Sequence, residues 1–145
     1  SRDAHPMKKP MHKNGRGQAL VEIAILLPVL LLLLMLILDL GRGIYYYSVI
    51  HSAAREGARY GVVNYRGTRD GLIAGIISTA KERAIGLELD QLVITSVVPA
   101  FPIETGDILE VTAAYRFEAL TPLVDIFIPD GYIDLTSTST MYFEK

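Results

Sequence analysis

Hydrophobic and polar positions follow three successive patterns along the chain. From Ala19 to Leu40 almost every position is apolar: the 22 residues hold only two charges, Glu22 and Asp39, and Ile23–Leu38 is an uncharged run of 16. At about 1.5 Å per residue a helix over that stretch is roughly 33 Å long, enough to cross the hydrocarbon core of a bilayer. The second pattern is helical and interrupted by small residues. Gly43–Gly61 is expected to continue the helix, with Ala53, Gly57 and Gly61 recurring every four residues beside Ala54 and Ala58. Such a stripe permits close helix approach, either to a neighbouring subunit or to the chain's own sheet. Asn64–Asp70 is polar and reads as a loop. Leu72, Ile73, Ile76, Ile77, Ala80 and Ala84 then predict an amphipathic helix to about Ile85, with Gly86 as its stop.

In the third pattern the period falls to two. Leu92–Val98 is rich in β-branched residues. In Ile108–Glu118, Leu109, Val111, Ala113, Tyr115 and Phe117 share one face, opposite Glu110, Thr112, Arg116 and Glu118. In Tyr132–Glu144, Ile133, Leu135, Met141 and Phe143 face inward and Asp134, Thr136, Thr138 and Thr140 outward. Three strands of this kind predict an antiparallel sheet with one wet face and helices on the other. Residues 119–131, with Pro122 and Pro129, make an apolar connection that is expected either to pack locally or to contact a subunit. The fold class predicted is α+β: a long N-terminal transmembrane helix, then a small domain with a second helix on a roughly three-stranded antiparallel sheet. The divisions are a basic leader (1–17), the apolar helix and its extension (18–61) and the α+β domain (62–145).

Charge adds an orientation. Arg2, Lys8, Lys9, Lys13 and Arg16 precede the span against one acid, Asp3, so the leader is expected to stay cytoplasmic and the domain to lie outside. Met7 and Met11 are both candidate starts for it. Beyond Leu40 there are nine basic and 13 acidic residues, a mildly acidic exported portion. The net charge of -2 gives no reason to expect a nucleic-acid partner. Asp39, near the outer end, is expected to meet water. Tyr45, Tyr46 and Tyr47 read either as an interfacial belt or as domain core. A cleavable secretory signal fits poorly, because the apolar core is too long and Asp39-Leu40-Gly41-Arg42 offers no small-x-small site.

Catalytic chemistry finds little support. There is no cysteine, no histidine pair at ligand spacing and no glycine-rich phosphate loop, so neither enzyme activity, nor a metal, nor a cofactor is expected. His51 is read as structural, and Arg55, Glu56 and Arg59 as a solvated face.

One short segment does carry chemistry. Gly17-Gln18 closes the basic leader, and Glu22 lies at the fifth position after the glycine, at the head of the apolar run. This resembles the type IV prepilin processing site, which implies a prepilin peptidase that cuts between Gly17 and Gln18 and leaves the helix on the mature protein. A carboxylate near the start of a membrane helix needs a partner. A new ammonium group on Gln18, of the same or a neighbouring chain, would supply one and set register between subunits; otherwise Glu22 snorkels to the headgroups. Pro28 interrupts the helix hydrogen bonding, giving a kink or a point of unwinding.

The resemblance extends over residues 16–61: Arg-Gly-Gln-Ala-Leu-Val-Glu, a proline-interrupted leucine run, Asp39-Leu40-Gly41-Arg42, and Ala53-Ala54-Arg55-Glu56-Gly57-Ala58-Arg59-Tyr60-Gly61. Together these resemble TadE-like proteins, pilin-like components of tight-adherence (Tad) pilus systems. Ile23 stands where the short major pilins of those systems usually carry tyrosine, and the chain is longer than they are, which favours a minor pilin or pseudopilin, with a TadE-like major subunit of a filament as the other reading. The resemblance implies other pilin subunits and the inner membrane as partners, a cell-surface filament as destination and a role in adhesion. The alternative is an uncleaved, signal-anchored extracytoplasmic binding module.

Overall fold

The computed structural model describes residues 15–122, 126, 128 and 130–144; most of the leader, and Leu123, Val124 and Phe127 of the apolar connection, lie outside them. Helix α1 runs Gly15–Val63 and passes through Pro28 without ending. Two compact units divide between Leu34 and Met35. The first is the apolar part of α1, and none of its side chains from Gly17 onward is buried. Backbone hydrogen bonding inside the helix satisfies its interior peptide groups, as a chain in lipid requires, except at Pro28, which has no N–H to give the Ala24 carbonyl.

The second unit holds the rest of α1, helix α2 (Arg69–Arg83) and strands β1 (Leu92–Val97), β2 (Ile108–Glu118) and β3 (Tyr132–Tyr142). The fold is α+β, with one antiparallel sheet in the order β1-β2-β3. Helix α2 starts where Thr68 Oγ1 accepts the Gly71 N–H at 3.2 Å, an N-cap that shortens the expected loop. The helix ends two residues before Ile85, and the chain turns at Gly86 with φ +84°, a conformation that favours glycine. Leu72, Ile76 and Ala80 are its buried stripe.

The core lies between the helices and the inner face of the sheet. Leu109, Val111, Ala113, Tyr115 and Phe117 of β2 are all buried, as the alternation predicts. On β3 the inner face is less regular: Ser137 and Ser139 are buried, as is Phe143 just past the strand, while Ile133 at its start is 39% exposed. Ser137 Oγ meets His51 Nδ1 of α1 at 3.0 Å, so a polar pair ties helix to sheet. The outer face is wet. Thr112 and Thr138 share a cross-strand hydrogen bond of 2.9 Å, and the Arg116 guanidinium lies 3.9 Å from the Tyr132 ring centroid while reaching Asp134 at 3.7 Å.

Candidate assembly site

At the head of α1, Gly17 faces open space and Gln18 and Glu22 are exposed. They are four residues apart on one helix, so they share a face. Helical side chains tilt toward the N-terminus, so the Glu22 carboxylate lies on the side of the Gln18 backbone nitrogen. Pro28 and the leucines around it are also exposed: Leu27, Leu30 and Leu31 retain 51%, 59% and 52% of their surface. This part of the helix has a large apolar surface with no partner inside its own unit.

The small-residue stripe is in a different position. Ala53, Ala54 and Ala58 are fully buried within their own domain. A Cβ on Gly57 would come within 3.2 Å of Ala80 Cβ and 3.3 Å of the Ile76 carbonyl oxygen, and one on Gly61 would collide with Leu109 and reach Ile76 Cδ1 at 3.0 Å. Tyr60 in turn occupies the space that a side chain at Gly75 would need. Gly57 and Gly61 therefore let α2 and β2 press against the α1 backbone. Arg55 and Arg59 remain exposed and Glu56 half-exposed.

The three tyrosines divide. Tyr46 packs edge-on against Tyr115 and Phe117, with ring centroids 5.3 and 5.8 Å away, whereas Tyr45 and Tyr47 are about half exposed. The Arg42 guanidinium stands over both Tyr46 (5.6 Å) and Phe117 (5.4 Å).

Asp39 corrects the expectation of a water-facing carboxylate, for it is only 4% exposed. Oδ1 accepts the Leu120 N–H at 3.0 Å and an Arg42 N–H at 3.2 Å; Oδ2 accepts the Thr121 N–H at 2.8 Å and the Thr121 hydroxyl at 2.6 Å. Thr121 is itself buried. One carboxylate thus holds the chain leaving β2 against α1. Sequence reasoning missed this residue, although its signal was present: an acid at the end of a leucine run with an arginine three positions on. The partner backbone is more than 80 residues away in the chain, and nothing local marks it. Among the described residues no group of three or more His, Asp or Glu forms a metal-holding arrangement.

The geometry isolates a distinctive segment: an exposed Gly-Gln head, an unpartnered apolar helix and an inward-facing small-residue stripe. The model of the TadE-like protein family matches residues 17–59. The chain carries the TadE-like segment. The match begins at Gly17 and ends within α1, so the TadE-like portion is this helix, and α2 and the sheet lie beyond it. No curated protein and no solved structure matches the chain. Among the described residues one helix is long and apolar enough to cross a membrane, and it is the one that the TadE-like match covers.

Proposed function

We propose that this protein is a structural subunit of a Tad-type pilus system, a minor pilin or pseudopilin without enzymatic activity. A prepilin peptidase cuts between Gly17 and Gln18 on the cytoplasmic side, where the basic leader is retained. The helix then anchors the subunit in the inner membrane with its α+β domain outside, until it packs among the helices of other pilin subunits in a surface filament that supports adhesion. The observation that carries this reading is the apolar helix that begins at a Gly-Gln-x-x-x-Glu head, lies in the TadE-like match and buries nothing in its own unit. Such a surface needs either lipid or other helices around it. Glu22 sits one turn from the amino group that cleavage would create, close enough to pair with it in its own chain or in a neighbour. In a dry helix bundle an unpaired carboxylate would be costly, so the pair would fix register.

Intact-mass and N-terminal mass spectrometry of the protein from its native membrane or from sheared filaments tests this. The expected mature chain begins at Gln18. Assembled material that keeps Lys13–Gly17 would overturn the processing and favour the signal-anchored binding module.

A further inference from the structure

We propose that one flank of the α+β domain is seated in the interfacial layer of the membrane, beside the point where α1 leaves the lipid; this rests on the membrane-anchor reading above. The apolar surface of α1 does not stop at the end of the span. Leu36, Leu40, Ile44 and Tyr47 continue along one flank with 39%, 61%, 71% and 50% exposure. Spacings of four, four and three residues place them on one helix face. A cleft of about 330 Å³ separates that face from the sheet, lined across the gap by Phe117, Ile133 and Leu135. Ile133 pairs with Phe117 in the β2–β3 register, and Phe117 lies against Gly43, so the start of β3 is level with this turn of the helix. Leu120, 63% exposed, is held level with Asp39 by its own N–H.

Those beyond Asp39, from Leu40 to Tyr47, span roughly 10 Å along the α1 axis. That is comparable to the ~5–10 Å depth at which amphipathic surfaces lie in the headgroup–acyl boundary.

Asp39 supplies the second observation. Where the span ends, a free carboxylate would oppose contact with lipid. Here the domain surrounds it with three donors from Leu120 and Thr121, one from Arg42, and leaves it 4% exposed. The charge is withdrawn where the apolar surface continues. On another flank, Arg42, Glu88 and Glu118 line a polar cleft at a similar level, so the seating is one-sided.

The chain contains no cysteine, so single cysteines carry a spin label cleanly. The full chain would be reconstituted at high dilution in phosphatidylcholine vesicles with a nitroxide at Leu30→Cys, Leu120→Cys, Ile133→Cys, Glu88→Cys or Val63→Cys. Val63 ends α1 about 36 Å beyond Asp39 and is itself an exposed apolar residue, a matched control for the far end. Each variant is first checked for an unchanged melting curve. Collisions with oxygen, which concentrates in lipid, are compared with those of a water-soluble nickel chelate. A ratio several-fold higher at 120 and 133 than at 88 and 63, with the highest ratio at 30, is expected. A lipid-like value at 30 with water-like values at 120 and 133 would overturn the seating and leave the anchor intact. A water-like value at 30 would overturn both. Spin–spin broadening between labels at 120 or 133 in the diluted samples would also overturn it, because a second copy would then occupy the flank.

Discussion

Helix α1 contains two regions with the same backbone and opposite surroundings. Gly17–Leu34 is built from large aliphatic residues and buries none of them. Met35–Val63 is built around Ala53, Ala54, Gly57, Ala58 and Gly61, and buries all five. The large residues have no partner in their own unit, while the small ones are closely surrounded. Secondary structure alone therefore says nothing about what stabilises a helix. In the first region the helix persists because in lipid each peptide group must be satisfied locally. In the second it persists because α2 and β2 are packed onto it, and most helical stability in water comes from such packing. The residue sizes follow: leucine fills space among lipid tails or other helices, and glycine gives up space to a neighbouring element.

The sharpest break in that comparison is at Asp39, the first buried residue of the second region. Asp39→Ala leaves the buried Thr121 N–H and hydroxyl and the part-buried Leu120 N–H without their acceptor, and each orphaned buried group costs about 1–3 kcal/mol. Relaxation and entering water recover part of this, so a loss of about 3 kcal/mol from the domain is expected. Thr121→Val removes one donor and should cost about 1 kcal/mol. Thermal and denaturant unfolding of both variants in detergent would check the order. Equal losses would mean that the hydroxyl, not the carboxylate, organises the connection.

A smaller effect is expected inside the second region. Gly61→Val places a branched side chain where Leu109 and Ile76 already sit, and overpacking of this kind costs about 1–3 kcal/mol. Gly57→Ala is a finer comparison. Its Cβ contacts of 3.2 and 3.3 Å require small shifts, while replacing glycine in a helix interior gains about 1 kcal/mol, so the two effects nearly cancel. A Gly57→Ala variant within about 0.5 kcal/mol of the parent beside a clearly destabilised Gly61→Val is the expected result. Equal destabilisation would show that α1 and α2 cannot adjust at all.

Much of this architecture was legible in the sequence, and what was not has a common cause. The apolar run, the helical stripe of α2 and the alternation of β2 are local patterns, because burial on one face repeats with the period of the element. Three features depend on long-range placement instead. Tyr45, Tyr46 and Tyr47 are chemically identical, and only the helix phase relative to β2 sends Tyr46 inward. Ser137 and Ser139 sit on the inner face of β3, where His51 from α1 supplies a partner for Ser137 that alternation alone would not suggest. Asp39 reads as a surface acid until Leu120 and Thr121 return to it. Of the candidate site, the Gly17, Gln18 and Glu22 head was visible as spacing. The role of the small-residue stripe was left between a neighbour and the chain's own sheet, and Gly57 and Gly61 pack against α2 and β2 of the same domain.

The smallest expected effect on stability concerns the first region and separates the two halves of α1 most cleanly. Leu30→Ala removes a large aliphatic side chain that is 59% exposed. At a buried core position the same change would cost about 2–5 kcal/mol, because it removes apolar contacts and leaves a cavity. Leu30 has neither, so the melting transition of the α+β domain in detergent should stay within about 0.5 kcal/mol of the parent. If the protein acts as the pilin subunit proposed above, that apolar surface faces lipid or other helices, and the loss should show up as fewer subunits recovered in sheared filaments. Domain unfolding measured beside filament yield distinguishes the cases. A destabilised domain would mean that the two regions of α1 are coupled, and that the apolar half contributes to the fold it precedes. An unchanged domain with reduced assembly would assign that half of the helix to contacts beyond its own chain.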